Sequence, residues 1–364
     1  MDSSLDSQNS LVLIFGSSKL KNQTDLFEQI RSKFTRSIIM GCSTSGEIYK
    51  SEVFDDSLSI AVTRFDKTSL KFVTAPISIG DESFEAGKKL ANELYKENLK
   101  AIFILSEGIN INGTELVRGV NSIIPDKTVI SGGLAGDGTD FMETWILKDN
   151  KPVTNHVSMV GFYGDKIEIS TGSVGGWKAF GPERKITKSH ANILYELDHQ
   201  PALNLYKKYL GEKADELPVS ALRFPLSLKS EFMDRSGIVR TVLSVDEKKQ
   251  SMTFAGDMPE NSITQLMHAS FDNLIEGAAQ AAEQAKIKNE DMNSPVLSIA
   301  ISCVGRRLVL GGQVEDEIEV VLDSLEIPVN QIGFYSYGEI APNKTGKCDL
   351  HNQTMTLTII KEGN

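Results

Sequence analysis

Cysteine is scarce in this 364-residue chain, which carries only Cys42, Cys303 and Cys348. An odd, scattered set offers no disulfide framework and no Cys-x-x-Cys pair for zinc, and it fits a reducing compartment. Long apolar runs are missing: no stretch reaches the roughly 18 residues that a membrane helix needs. The first ten residues carry Asp2 and Asp6 and lack the basic start and apolar centre of a secretory signal. Basic clusters are missing too, and the net charge of −11 opposes a phosphate backbone. The expectation is a cytoplasmic protein with no membrane insertion and no nucleic-acid partner. Nucleotide motifs are absent as well. There is no P-loop, and the stretch 133–138 has the wrong glycine spacing for a dinucleotide fingerprint. A serine-hydrolase elbow would require glycine where Ser45 stands.

What the chain does have is a core-forming composition, 40% hydrophobic and 24% charged, and an internal repeat. Residues 11–15 form a short apolar run. Leu26, Phe27, Ile30 and Phe34 then recur at helical spacing, and a second apolar run at 38–40 leads into Gly41-Cys-Ser-Thr-Ser-Gly-Glu-Ile48. The same order returns at 101–105, Leu116, Val117, Val120, Ile124 and 129–130, where Gly136-Asp137 falls on Gly46-Glu47. It returns again at 296–301, Ile318, Val321, Leu322, Leu325 and 331–333, ending at Gly338-Glu-Ile340. Each unit continues into an alternating strand, at 58–62, 157–162 and 355–359.

Strand, helix, strand predicts parallel pairing through a right-handed crossover, with the last strand antiparallel. The fold class expected is α/β with mixed, α+β-like sheets, in two domains built from these repeated units. Between the second and third units the pattern changes. A helix is expected over 202–210 and strands over 238–245 and 251–255. A long helix is expected from about Ser262, with Ile263, Leu266, Met267, Leu274 and Ala278 in register. The glycine-rich stretch 172–181 before Pro182 suggests a domain boundary near 180–200.

Gly41, Gly46, Gly132, Gly133, Gly136 and Gly138 permit positive φ and close approach to the backbone. Hydroxyls (Ser43, Thr44, Ser45) and acids (Glu47, Asp137, Glu339) surround them. Exposed N–H groups facing a carboxylate and an acid facing an ammonium would hold a small zwitterion. The same residues also serve a plainer purpose, as tight turns whose acids cap neighbouring N–H groups.

At these residues the chain resembles the FIST family. Gly41-Cys-Ser-Thr-Ser-Gly-Glu-Ile48 and Ser131-Gly-Gly-Leu-Ala-Gly-Asp137 look like hallmark segments of the FIST N-terminal domain. Cys303-Val-Gly-Arg-Arg307, Gly333-Phe-Tyr-Ser-Tyr-Gly-Glu-Ile-Ala-Pro342 and His351-Asn-Gln-Thr354 look like those of the C-terminal domain. Gly176-Trp-Lys-Ala-Phe-Gly181 and Tyr195-Glu-Leu-Asp198 also match. The resemblance places an N-terminal domain at 11–185 and a C-terminal domain at 190–362. It implies a sensory role in signal transduction, with amino acids among the proposed ligands, and haem with nitric-oxide sensing in some members. Ten residues precede the first predicted strand and four follow the last. The expected output is therefore a separate protein, such as a histidine kinase or a cyclic-dinucleotide enzyme.

The expected ligand cavity is lined by 41–47, 131–137, 303–307 and 337–339. Its candidate contacts are Cys42, Ser43, Thr44, Ser45, Gly46, Glu47, Gly132, Gly133, Asp137, Trp177, Cys303, Arg306, Arg307, Tyr337 and Glu339. Arg306 and Arg307, read as loop residues after a strand, are either a carboxylate clamp or surface charge. Trp177 either stacks on a ligand or packs in a core. Cys42 and Cys303 are candidate reactive thiols, but no spacing supplies a partner base. Haem would need an axial ligand, for which His156 and His351 are the candidates. No catalytic residue or metal site is expected, and a ligand-free interaction scaffold is the alternative from another functional class.

Overall fold

The computed structural model describes residues 2–77, 82–229, 238–287, 295–343 and 345–363. The apolar runs of the three repeats become the strands Ser10–Ser17, Leu99–Ser106 and Val296–Cys303, each almost wholly buried. Burial on both faces explains why they read as continuous apolar stretches and not as alternating ones. Each pairs in parallel with the next strand of its own unit, Ile38–Thr44, Val129–Leu134 or Asn330–Ser336. The crossover helices are Thr24–Lys33, Gly113–Asn121 and Val314–Leu325. Asn112 caps the second of these by accepting the Glu115 N–H, and Leu116, Val117 and Val120 form its buried face. The other side of each leading strand takes an antiparallel strand, Leu58–Arg64, His156–Tyr163 or Met355–Glu362. The α/β class with mixed sheets is thus as expected from the repeat.

A cyclic exchange then joins the three sheets. Glu47–Tyr49 leaves the first unit to pair with Asn330–Ser336 of the third. Gly338–Pro342 leaves the third to pair with Val129–Leu134 of the second, and Ile146–Lys148 leaves the second to join Ile38–Thr44 of the first. The inner faces of the sheets meet in one apolar core containing Leu13, Phe15, Phe103, Leu105, Ile301 and Phe334. Phe15 and Phe334 come from opposite ends of the chain, and their ring centroids are 4.6 Å apart. Helices cover the outer faces.

The glycine-rich segments begin inside strands, whereas the sequence suggested turns. Gly41, Gly132 and Gly333 stand opposite Ile14, Ile104 and Ala300 of the neighbouring parallel strand. In all three places an added Cβ would run into the carbonyl oxygen of that partner residue. Close strand approach is their shared purpose, and the true turns come later, at Ser45-Gly46 and after Leu134.

Between the second and third units, residues 178–268 contribute a separate sheet with the helix Ala202–Leu210 and a core of its own. Here one expectation fails. Ile263–His268 is a strand paired with Leu226–Lys229, and the helix starts only at Phe271, capped by Ser270. The apolar residues at 263, 266 and 267 happened to continue the helical register. The alternation of Thr264 and Leu266 against a paired strand decided the local structure. The expected strand over 238–245 is likewise two strands, Ile238–Arg240 and Val242–Asp246.

Candidate functional site

Because all three parallel pairs run the same way around the core, the C-terminal ends of their strands converge. In open α/β sheets such ends are where ligands bind. Backbone bonds knit the three tips together. Ser45 N–H donates to the Tyr335 carbonyl at 2.8 Å, Tyr335 N–H to that of Gly46 at 2.9 Å and Gly136 N–H to that of Ser43 at 3.0 Å. Ser45 Oγ accepts the Gly138 N–H at 3.0 Å. Gly46 has φ +131° and lies under the Arg307 guanidinium, so a side chain there would meet the arginine.

The repeated acids are buried and held by their own turns. Glu47 accepts from the Thr44 hydroxyl, the Ser57 N–H at 3.0 Å and the Ser57 hydroxyl at 2.6 Å. Glu339 repeats the pattern with the Ser336 hydroxyl at 2.6 Å, the Thr354 N–H at 3.1 Å and the Thr354 hydroxyl at 3.0 Å. Asp137 accepts three successive N–H groups, those of Phe141, Met142 and Glu143, together with the Tyr337 hydroxyl. Burial raises the Glu47 carboxyl, against the lowering effect of its Ser57 and Thr44 bonds. Burial pushes Glu339 further, to about 7, although the Ser336 and Thr354 bonds and the Arg306 charge oppose it.

A pH dependence follows. Between the ordinary carboxyl value and about 7, folded Glu339 keeps a proton that the unfolded chain has released. Its contribution to stability is complete below the unfolded value and is lost as pH rises through about 7. Glu339→Gln keeps the shape and removes the titration, so the fall in Tm from about pH 5 to about pH 8 should be smaller in the variant. Equal falls in the two proteins would show that Glu339 is ionised throughout.

The two adjacent arginines diverge. They lie on the helix Val304–Leu310 and not in a loop as expected, so successive side chains leave it in different directions. Arg306 is fully buried, paired with Glu317 and bonded to the carbonyls of Gly175 and Leu274. Arg307 reaches across to the first unit, donating to the Ser45 carbonyl at 2.6 Å and to both oxygens of Asp55 at 2.8 Å. Its guanidinium also lies over the Tyr335 ring, 5.4 Å from the centroid.

Arg307 forms one wall of a polar cleft of about 210 Å³. Thr44, Ser45, Gly46, Glu47 and Asp137 from the expected set line it too. Gly138, one of the glycines singled out in the sequence, lines it as well; Lys19, Asp55, Asp56 and Asp140, together with Ser17, Ser18 and Thr139, complete it and were not anticipated. Lys19 pairs with Asp56 at 2.7 Å. The Arg307 hydrogen bond and charge hold Asp55 below the usual carboxylate value, and Lys19 does the same for Asp56. Asp55-Asp56 sits just before an alternating strand, and Asp56 has φ 51°, so the local sequence signal there is that of a turn. An apolar hollow in the separate sheet is only about 20 Å³, room for about one water.

The remaining expected contacts lie outside the cleft lining. Cys42 is in a strand, and Cys303 caps the start of the Arg306 helix; both are fully buried, and burial pushes both thiols up, away from thiolate. Ser43, Gly132, Gly133, Tyr337 and Glu339 form the buried layer beneath. Trp177 is a core residue, packed with Met267, Leu274 and Leu310 and donating to the Gln353 carbonyl at 2.8 Å. Neither His156 nor His351 lines the cleft, and each has a ring nitrogen engaged with a backbone carbonyl, of Thr154 and Ala341 respectively. The lining contains no His, Cys, Met or Tyr, so the cleft does not fit a haem axial ligand. Among the described residues, no helix is long and apolar enough to cross a membrane, and no cluster of ligating side chains suits a metal ion.

Comparison with known proteins bears on the whole chain. A family model described as FIST N domain matches residues 10–200, and one described as FIST C domain matches residues 202–342. An uncharacterized protein, MJ1623 of Methanocaldococcus jannaschii, is 21% identical over 351 residues, covering 86% of this chain. This chain spans 66% of that relative's length. Among solved structures, a chorismatase aligns over 98% of this chain and 94% of its own, at 9% identity and a TM-score of 0.33. A cyanuric acid hydrolase from A. caulinodans aligns over 81% and 67%, at 12% identity and a TM-score of 0.22.

Proposed function

The chain belongs to the FIST family, whose domains are associated with signal-transduction sensing, and on that premise we propose that it binds a small zwitterionic ligand, such as an amino acid, in the Arg307 cleft. One observation carries the reading. The cleft gathers two cations, Lys19 and Arg307, and the carboxylates Asp55, Asp56 and Asp140 around a volume suited to a few heavy atoms. A ligand carboxylate would take the guanidinium from Asp55 in a bidentate pair, and the freed Asp55 would receive its ammonium. Glu47 and Asp137 are committed to their own turns and act as supports. The cleft is a binding site in this reading and supplies no nucleophile with a positioned base. Arg307 bridges the first and third units, so a ligand that replaced its Asp55 contact would favour one arrangement of the tips. A separate signalling protein, such as a histidine kinase or a cyclic-dinucleotide enzyme, would read that arrangement.

Calorimetry across amino acids and small organic acids tests the proposal. The expected result is saturable binding that weakens at least about tenfold in Arg307→Ala, about 1.4 kcal/mol. No binding by the ligand-free protein across the panel would reject the small-ligand reading in favour of a scaffold.

A further inference from the structure

The three sheets share a plan but differ at one edge. In the second sheet the antiparallel strand His156–Tyr163 receives a further strand, Ser69–Pro76, and the helix that follows it, Ser83–Leu94, packs beside Gly113–Asn121. In the third sheet Met355–Glu362 receives Ile167–Val174, and the helix Phe271–Ala285 packs beside Val314–Leu325. Both added strands run antiparallel. In the first sheet the equivalent strand, Leu58–Arg64, is the edge, and among the described residues it pairs only with Ser10–Ser17. Among the described residues, the apolar cluster under the helix Thr24–Lys33 draws none from a second helix.

This edge is built to be covered. The Ser57 carbonyl accepts from Ser17 and the Phe65 N–H donates to Asn9, so the odd-numbered residues face the paired strand. Alternation in an antiparallel ladder then turns the N–H and C=O groups of Leu58, Ile60, Val62 and Arg64 outward. Leu58, Ile60 and Val62 also present their side chains on the helix-facing side, and all three are only half-buried. Their counterparts Val157 and Met159 in the second sheet, and Met355, Leu357 and Ile359 in the third, are completely buried. The N-terminal turn Ser3–Leu5 comes near the edge strand without pairing to it.

We propose that the Leu58–Arg64 edge is a docking site for a partner polypeptide that adds an antiparallel strand followed by an amphipathic helix, completing the first sheet as the other two are completed. The edge is equivalent to the two that the molecule already covers in its other sheets, and the chemistry of the occupant is read from those two cases. The strand alternates apolar and polar residues. The helix carries a face of small and apolar residues, as in Ala86, Gly87, Leu90 and Ala91, or Gly277, Ala278, Ala281 and Ala282. A second copy of this chain fits less well. Two such edges pairing with each other would satisfy the backbone but would bring no helix over Leu58, Ile60 and Val62. The edge strand starts directly after Asp55 and Asp56 of the cleft, which connects the two surfaces through Ser57. The docking proposal stands independently of any ligand in the cleft.

The test uses the whole chain and a fluorescein-labelled synthetic peptide with the sequence of residues 69–94, the strand–helix segment of the second sheet. Val62→Pro removes one outward N–H without touching the ladder to Ser10–Ser17. Val62→Lys leaves the backbone intact and places a charge where the helix would lie. The expected result is a saturable rise in anisotropy with the unaltered chain, at least about tenfold weaker with either variant, while the Tm stays within a few degrees. Absence of saturable binding, or equal binding by both variants, overturns the proposal. So does a concentration-dependent dimer in sedimentation velocity that Val62→Pro abolishes, since the occupant would then be a second copy.

Discussion

Replacing Glu317 by alanine is expected to destabilise the chain by about 3–5 kcal/mol, the range for breaking a buried ion pair from one side. Arg306 and Glu317 have no exposed side-chain surface, and Arg306 Nε lies 2.6 Å from Glu317 Oε1. The other carboxylate oxygen accepts from the Ser302 hydroxyl at 3.0 Å and the Tyr335 hydroxyl at 2.9 Å. Alanine would leave a buried guanidinium with only the carbonyls of Gly175 and Leu274, and two hydroxyls with no acceptor. Glu317→Gln keeps acceptors for one or two of these donors and should lose less. Pairing Arg306→Met with Glu317→Leu removes the charge altogether. It should recover part of the loss but not the share due to Ser302 and Tyr335, about 1–3 kcal/mol for each unsatisfied group. Urea denaturation of the four proteins would order them. A Glu317→Ala loss under about 1 kcal/mol would mean that water reaches the pair. The consequence extends to function, because Arg307 follows Arg306 on the same helix turn and lines the cleft.

The repeat was legible because each unit places its strand, helix and turn under the same constraint. Val12 and Ile14 meet a helix on one face, Leu13 and Phe15 meet the central core on the other, and both faces call for apolar side chains. Gly-acid pairs marked the strand tips for the same reason: Glu47 and Glu339 are each tied to a hydroxyl three residues before them. The exchange of strands among the sheets was not legible. Glu47–Tyr49, Ile146–Lys148 and Gly338–Pro342 are three to five residues long, and their partners lie in other units, beyond any periodicity within a window. The same limit hid half of the cleft. Asp55 acquires its meaning from Arg307, 252 positions away, and Lys19 from its approach to Asp56. Arg306 and Arg307 looked alike in sequence, and only the helix that carries them sends one into the core and the other into the cleft.

Gly333→Ala is the substitution expected to do the most damage for the fewest atoms. The residue sits opposite Ala300 in the parallel ladder and is also paired, on its other side, with Ile48 of the exchanged strand. A methyl group there would overlap the Ala300 carbonyl oxygen and stand 2.7 Å from its carbon. The obstacle is backbone and not a flexible side-chain end, so relief requires the two strands to separate. Neighbouring strands sit about 4.8 Å apart to make their hydrogen bonds, so separation breaks the ladder. Overpacking a core costs about 1–3 kcal/mol when side chains can move; with the backbone as obstacle the expected loss is about 3 kcal/mol or more. Gly312→Ala is the control, because an added Cβ meets nothing within 4 Å there and the change should stay within about 0.5 kcal/mol. Gly41 and Gly132 occupy the same place in the other two sheets, and alanine at each should behave like alanine at Gly333. The damage would not remain local. Two residues beyond Gly333, Tyr335 exchanges backbone bonds with Ser45 and Gly46, so a displaced strand carries the floor of the cleft with it. Chemical denaturation of the four alanine variants decides the matter: a Gly333→Ala loss no larger than that of Gly312→Ala would mean that the strands are not in close approach.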